Sequence, residues 1–164
     1  AIAHFAGIDA EVIAKVLREF QGVEHRIELC NEIDGIRFVN DSKGTNPDAA
    51  IRAIEAMKRD IILIAGGYDK GASFDEFVSA FDCKVKALVL LGKTATKIKD
   101  AAEKAGFTNT VILKDMEACV REAYRLAESG DVVLLSPACA SWDMYTSFEQ
   151  RGEHFKACVR ELER

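Results

Sequence analysis

The sequence lacks the patterns that identify several broad classes of protein. The formal net charge is −5 and the 22 Lys and Arg residues form no basic stripe, which argues against nucleic acid as a partner. No apolar run approaches the ~18 residues of a membrane-spanning helix, so we predict no membrane segment. The first residues do not resemble a secretory signal either. With 164 residues, 49% of them apolar, the chain has the composition of one ordinary globular domain.

The cysteines are spaced too widely for a redox or zinc motif. No C-x-x-C pair occurs, and the three histidines show no obvious pairing with a cysteine nucleophile. We therefore predict free, mostly buried thiols in a cytoplasmic protein. The five cysteines are Cys30, Cys83, Cys119, Cys139 and Cys158.

Common cofactor motifs are also missing. No G-x-G-x-x-G follows a strand, which argues against a dinucleotide oxidoreductase. Gly92-Lys93-Thr94 matches the end of a phosphate-binding P-loop, but the glycine required earlier in that motif is replaced by Ala87. No group of His, Cys or carboxylate residues has metal-ligand spacing, so we predict no metal site within this chain.

Apolar periodicity predicts an α/β fold. Arg26–Cys30 and Ile36–Val39 flank the turn signal Asp34-Gly35, which indicates an antiparallel hairpin. Helices and apolar strands then alternate, as in right-handed βαβ units. We therefore predict a Rossmann-like three-layer domain, with a mostly parallel sheet of about six strands, an N-terminal antiparallel hairpin and helices on both faces. The later strands are predicted at Ile61–Ala65, Val85–Leu91, Thr110–Leu113 and Val132–Leu135, and the helices at Asp48–Met57, Ser73–Phe81, Thr94–Ala105, Asp115–Glu128 and Phe148–Leu162.

The first 20 residues read as helical and separate from this domain. Asp9 can cap a helix, Gly22 can stop it, and residues 20–23 form the one plausible connector. The opening residues resemble the middle of a helix. We therefore expect the chain to be a piece of a longer protein.

Polar side chains collect in three loops, each directly after an apolar strand. The loops are Asn40–Pro47, Gly66–Gly71 and Ser136–Phe148. The first loop contains a carboxylate, an amine, two hydroxyls and two amides, which is more chemistry than a strand-to-helix turn requires. Because the carboxyl ends of parallel strands face the ligand crevice of an α/β sheet, we expect the three loops to converge on one site.

Several of these polar side chains could instead have a purely structural role, and the sequence alone does not decide between the two interpretations. Lys70 could be a solvated turn lysine, and Asp41 could pair with Lys43 and cap the helix. Ser136 and Ser141 could be turn hydroxyls. Arg26 could be an ordinary edge-strand arginine.

Two segments together resemble the Mur ligase family, specifically its D-glutamate-adding members. Residues 38–46 read FVNDSKGTN, and residues 134–141 read LLSPACAS with FEQRG following at 148–152. Residues 22–28, GVEHRIE, are similar to the entry into the family's C-terminal domain. The chain departs from the family pattern at four positions: Gly44, Tyr68, Asp69 and Trp142.

The resemblance implies an ATP- and Mg²⁺-dependent ligase that activates a carboxylate as an acyl phosphate and couples it to an amine. Its substrates would be D-glutamate and UDP-N-acetylmuramoyl-L-alanine, used in peptidoglycan synthesis. Residues 1–22 would end the central ATPase domain, which would hold most of the ATP and Mg²⁺ contacts. Residues 23–164 would form the C-terminal domain that binds D-glutamate. We expect this chain to be monomeric and inactive alone.

The resemblance also implies roles for individual residues. Thr45, Lys70, Ser141 and Phe148 match positions that bind D-glutamate. Arg26, Asp41 and Asn46 match positions at the nucleotide end, with Arg26 near the phosphates and Asp41 at the ribose hydroxyls. Lys43 would stabilise charge near the transferred group. Two alternatives stay open: the C-terminal domain of a sister Mur ligase or folylpolyglutamate synthetase, and a stand-alone anion-binding module.

Overall fold

A computed structural model describes residues 2–20, 22–58 and 60–163. The connector predicted at residues 20–23 includes Gln21, which lies outside the described residues. The described strands form one sheet in the order β1-β2-β6-β3-β4-β5. They are β1 (Glu28–Ile33), β2 (Ile36–Asn40), β3 (Ile61–Ala65), β4 (Val85–Leu90), β5 (Thr110–Ile112) and β6 (Val132–Leu135). The predicted Rossmann-like class and the six strands are thus confirmed.

The sheet is antiparallel at one edge and parallel elsewhere. β1 pairs antiparallel with β2, and the remaining neighbours pair parallel. The hairpin turn has φ of 52° at Asp34 and 78° at Gly35, as a two-residue turn of the primed type requires. β6 is the last strand in sequence, yet it lies between β2 and β3.

Helices cover both faces of the sheet, because the strands are apolar on both sides. Ile61, Leu63 and Ala65 contribute to one buried cluster with three helices, while Ile62 and Ile64 contribute to a second cluster with two helices. This alternation is the two-residue period of a strand buried on both faces. The first face carries α3 (Pro47–Ala56), α4 (Asp75–Ser79) and α5 (Ala95–Lys104), and the second carries α6 (Met116–Leu126) and α7 (Phe148–Glu161).

Two predicted elements are wrong at both ends, and the first of them, the opening strand, ends at Ile33 instead of Cys30. The first strand begins at Glu28 instead of Arg26, because His25 and Ile27 have φ of 62° and 47° and interrupt the extended chain. The helix predicted from Ser73 to Phe81 spans only Asp75–Ser79, with Phe74 at the N-cap position. Ser73, which was predicted to cap this helix, lies one residue before the N-cap, and its hydroxyl accepts a hydrogen bond from the Asp75 N–H.

The N-terminal helices pack little against the sheet. α1 (Ile2–Phe5) and α2 (Ala10–Glu19) have no buried residues. Asp9 caps α2 by accepting from the Glu11 N–H, as predicted. Val16 and Leu17 on α2 are 58% and 70% exposed, so an apolar stripe faces solvent. Among the described residues, every helix is too short or too polar to cross a bilayer.

Candidate functional site

The three polar loops converge because they follow neighbouring strands. β2, β6 and β3 are adjacent, so their carboxyl ends meet at one edge of the sheet. Backbone hydrogen bonds then join the loops to one another. The Gly66 N–H donates to the Pro137 carbonyl at 2.9 Å, and the Tyr68 N–H donates to the Ala140 carbonyl at 2.8 Å. This edge is the crevice predicted from the sequence.

Arg151 on α7 connects two of the loops through buried hydrogen bonds. Its side chain is only 2% exposed, and its guanidinium donates to the Ser42 hydroxyl at 3.0 Å, the Ser42 carbonyl at 2.9 Å and the Cys139 carbonyl at 3.0 Å. The Ser42 hydroxyl in turn donates to the Phe148 carbonyl at 2.8 Å. Arg151 therefore fixes the loop after β2, the loop after β6 and the start of α7 as one unit.

A second group of buried hydrogen bonds, centred on Thr94, joins the loop after β3 to the loops after β4 and β6. The Thr94 hydroxyl donates to the Gly67 carbonyl at 3.1 Å and accepts from the Gly67 N–H at 3.0 Å. It also lies 3.2 Å from the Cys139 sulfur. Thr94 belongs to the Gly92-Lys93-Thr94 segment, so this segment serves structure here.

Asp41 lies at the junction of the loops with both carboxylate oxygens engaged. One oxygen accepts from the Ser136 hydroxyl at 2.7 Å, and the other accepts from the Ile27 N–H at 3.3 Å. Burial raises the pKa of the Asp41 carboxyl above its ordinary value, while the Ser136 hydroxyl and the Ile27 N–H oppose that rise. Asp41 does not pair with Lys43, so that structural alternative is wrong.

Arg26 lies on a strained segment that Asp41 and Lys43 hold in place. The residues on either side of Arg26 are the non-glycine positive-φ residues His25 and Ile27. The Lys43 N–H donates to the His25 carbonyl at 3.0 Å, while Asp41 binds the Ile27 N–H. Positive φ at bulky residues persists only where surrounding contacts enforce it. The fold thus holds Arg26 at the crevice and outside the strand.

A cleft of about 470 Å³ opens beside this segment, and we call it the basic cleft. Its cationic side chains are Arg26, Lys43 and Arg52, and Phe148 closes one side. The Lys43 ammonium lies 5.3 Å from the centre of the Phe148 ring. The lining residues are Arg26, Ile27, Asp41, Lys43, Gly44, Thr45, Asn46, Ala49, Arg52, Ala53 and Phe148.

A second cleft, which we call the Lys70 cleft, shares a wall with the first. Thr45 and Asn46 line both clefts, and Lys70 lines only the second. The Lys70 cleft holds only about 30 Å³, roughly the volume of one water molecule. The exposed Lys70 ammonium lies 5.9 Å from the Trp142 ring, which packs 5.6 Å from the Tyr68 ring.

The remaining predicted residues have structural contacts as well. The Asn46 side chain caps α3 by accepting from the Ala49 N–H at 2.9 Å. Ser141 is 2% exposed, and its carbonyl accepts from the Met144 and Tyr145 N–H groups at 3.1 and 2.8 Å. Ser141 lines neither cleft, whereas Phe148 lines the basic cleft with the residues predicted at the nucleotide end. The structure thus brings Arg26, Asp41, Lys43, Thr45, Asn46 and Phe148 together, with Lys70 across Thr45.

Within the described residues, the cations at this edge make no ion pairs. This holds for Arg26, Lys43, Arg52 and Lys70, whereas nine of the sixteen other described Lys and Arg side chains are paired. Unpaired cations in a chain of net charge −5 are available to bind an anion. Arg52 and Arg151 were not predicted as site residues. Arg151 lies in the recognised 148–152 segment, while Arg52 gives no sequence signal beyond its charge.

A cluster of two carboxylates and a histidine lies next to the Arg26 segment. Glu24, His25 and Glu153 place one ligand atom each within 4.8 Å of one another. The Lys156 ammonium, however, donates to Glu24 and lies 2.6 Å from Glu153. Lys156 therefore already supplies the cation in this cluster, which ties the Arg26 segment to α7.

Comparison with known proteins gives consistent results. A family model described as "Mur ligase, glutamate ligase domain" matches residues 25–139. The chain is 58% identical over 166 residues to the UDP-N-acetylmuramoylalanine–D-glutamate ligase of Thermoanaerobacter sp. (strain X514), covering 100% of this chain and 37% of that protein. It is 56% identical over 162 residues to the ligase of the same name from Clostridioides difficile (strain 630), covering 99% and 36%. The chain therefore spans little more than a third of the length of these relatives.

Solved structures share the fold at lower identity. UDP-N-acetylmuramate-alanine ligase MurC from Thermotoga maritima superposes with a TM-score of 0.71 at 16% identity, over 98% of this chain and 36% of that one. A bifunctional folylpolyglutamate synthase/dihydrofolate synthase from Yersinia pestis, complexed with AMPPNP and Mn, gives 0.63 at 15% identity, over 96% and 35%. The sister-enzyme alternative is thus supported by fold alone, while whole-chain identity favours the D-glutamate ligases.

Proposed function

Because this chain belongs to the family of Mur ligase glutamate ligase domains, we propose that it is the C-terminal domain of a ligase that joins D-glutamate to UDP-N-acetylmuramoyl-L-alanine with ATP. Residues 23–164 form the domain that binds the amino acid. Residues 1–22 belong to the end of a central ATPase domain. The exposed apolar stripe of α2 supports this division, since it needs a surface to cover it.

The observation that carries the proposal is the shared wall of the two clefts. Thr45 and Asn46 line both, so a ligand bound by Lys70 and a ligand in the basic cleft meet across this wall. Amide formation from an acyl phosphate requires such a meeting, because the amine must approach the activated carbonyl. We assign the phosphate groups to the basic cleft and the carboxylates of D-glutamate to Lys70 and Thr45 beside the Lys70 cleft, which at about 30 Å³ is too small to enclose the amino acid itself.

The side chains at the wall suit the charges of that reaction. D-Glutamate carries two carboxylates, which Lys70 and the Thr45 hydroxyl bind in place of water, with Ser141 and the Phe148 backbone positioning the amino-acid loop. Arg26 and Lys43 offset the negative charge that develops as phosphate transfers. Asp41 orients Arg26 through the Ile27 N–H and accepts from the ribose hydroxyls, and Asn46 holds the loop through its cap on α3.

The basic cleft suits nucleotide phosphates but not Mg²⁺. Asp41 is its only carboxylate, whereas three cationic side chains, Arg26, Lys43 and Arg52, line it and disfavour a divalent cation. We therefore assign Mg²⁺ and the P-loop to the remainder of the ligase, with ADP as the nucleotide product. Purified alone, the 164-residue chain should neither ligate D-glutamate nor hydrolyse ATP.

The decisive experiment is Lys70→Met in the complete ligase. Loss of a charge-assisted carboxylate contact should raise the KM for D-glutamate by about tenfold or more and leave the KM for ATP unchanged. Lys99→Met is the matched control, because Lys99 pairs with Glu103 at 3.5 Å and lies outside both clefts. An unchanged KM for D-glutamate in Lys70→Met contradicts the assignment, and preference for L-glutamate in competition would point to the folylpolyglutamate-type alternative.

A further inference from the structure

Helix α3 presents an unusual face to the basic cleft. Ala49, Arg52 and Ala53 all line it, and their spacing of three and four residues places them on one side of the helix. The two alanines leave space close to the helix backbone. Arg52 is therefore the one long side chain that α3 contributes to the cleft.

The opposite side of the cleft is held rigidly. Asp41 fixes Arg26 through the Ile27 N–H, and Lys43 is held by its backbone bond to His25 and its contact with the Phe148 ring. Arg52 is exposed and, among the described residues, has no ion pair. Two cations on anchored backbone segments thus line the cleft together with Arg52, which has no such partner.

This arrangement is unfavourable without a ligand. Three positive side chains and only one carboxylate, Asp41, line a cleft of about 470 Å³. Like charges around one cleft repel, so a bound anion of several charges removes a cost already present in the free protein. The cleft volume lies within the range of ordinary small-ligand sites, roughly 300–1,000 Å³.

We propose that Arg52 is a third phosphate-binding residue, which closes on the polyphosphate of the nucleotide from the α3 side. This goes beyond the function proposed above, on which it rests, since no role is otherwise assigned to Arg52. A guanidinium suits the task because its planar fork binds two phosphate oxygens at once, whereas an ammonium binds as a point charge. The flanking alanines allow the phosphate chain to approach α3 closely.

The test compares Arg52→Ala and Arg52→Lys in the complete ligase, with separate KM values for ATP, D-glutamate and UDP-N-acetylmuramoyl-L-alanine. We expect Arg52→Ala to raise the KM for ATP about tenfold, with Arg52→Lys between it and the wild type and with the KM for D-glutamate unchanged. The effect should shrink as salt is added, because exposed phosphate contacts are screened. Arg160→Ala is the matched control, since Arg160 is exposed and outside both clefts.

The outcomes separate this inference from the proposed function. An unchanged KM for ATP in Arg52→Ala overturns the role of Arg52, and so does a rise confined to the uridine nucleotide substrate. Either result leaves the Lys70 assignment standing. Failure of the wild-type ligase to use D-glutamate would instead remove the proposed function itself.

Discussion

Among single residues, Arg151 does most to hold the site together. It is a buried cation with three oxygen acceptors on two loops, and none of them is a carboxylate. Burial lowers the pKa of its guanidinium to about 10, so the side chain still carries its charge at neutral pH. Because the three oxygen acceptors of Arg151 are neutral, they bring no negative charge close to the loops. The cations Arg26 and Lys43 that line the basic cleft therefore keep their attraction for anions.

Replacing Arg151 with lysine should destabilise the domain despite conserving the charge. One ammonium cannot reach the Ser42 hydroxyl, the Ser42 carbonyl and the Cys139 carbonyl together, so buried acceptors lose their donors. We expect the free energy of unfolding to fall by about 2–4 kcal/mol, measured by urea denaturation. Arg160→Lys should change it by less than about 0.5 kcal/mol. Equal midpoints for Arg151→Lys and wild type would show that Arg151 does not join the loops.

Among the elements, the loop after β3 contains two positive-φ glycines, Gly67 and Gly71, that differ in the space available for a side chain. Gly67 has φ of 148°, and a Cβ there would lie 2.3 Å from the Ala140 carbonyl oxygen. Gly71 in the same loop has φ of 81°, but a Cβ there would meet nothing within 4 Å. The loop therefore approaches the loop after β6 at Gly67 and faces open space at Gly71.

Replacing each of these two glycines with alanine should distinguish the cost of backbone strain from the cost of a steric clash. Gly71→Ala should cost about 1 kcal/mol, which is the price of a left-handed conformation. Gly67→Ala should cost about 3 kcal/mol, because the backbone contact with Ala140 must also open. Thermal unfolding of both variants measures the difference. Similar losses in the two proteins would mean that the two loops are not in close contact.

Most elements could be predicted because their signals are local. Strand β3 is a wholly apolar run, and Asp9 and Asp115 cap helices where the sequence indicated. The start of β1 could not be predicted, since the positive φ values at His25 and Ile27 depend on contacts with Lys43 and Asp41 far along the chain. The role of Arg151 was hidden for the same reason, as its partners are 12 and 109 residues away.

Across the whole molecule, the thiols report how completely the two faces of the sheet are covered. Cys119, Cys139 and Cys158 are buried, and burial raises their pKa values to about 12, 11 and 11. Burial likewise raises the pKa of Cys30 to about 12. Cys83 is exposed. The thiolate is the reactive form, so the four thiols with raised pKa values should react slowly, and Cys83 is the one exposed cysteine among the described residues.

A thiol-reactive chromophore at mildly alkaline pH should therefore modify one cysteine quickly in the native protein and all five after unfolding. Cys83→Ser should remove the fast phase, while Cys119→Ser should leave it intact. Rapid labelling of two or more cysteines in the native chain would indicate that one helical layer opens readily.

The convergence of the loops was predictable at this scale, but their order was not. Apolar strands followed by polar loops place all three loops at one edge in any parallel sheet. No short motif encodes the position of β6 between β2 and β3, which the chain reaches from β5 through α6, packed over β4 and β3. The meeting of the two clefts at Thr45 and Asn46 depends on this order.

The position of β6 also has a consequence for biosynthesis. A ribosome completes β2 and β3 long before it adds Val132–Leu135, yet these two strands meet only through that last strand. Until then the nascent chain has two unpaired edges where the centre of the sheet will be, and such edges invite association with other chains. Pairing of β6 with β2 and β3 covers these two edges and also completes the sheet edge that carries the polar loops. We therefore expect the nascent chain to become soluble and able to bind ligand at the same late step.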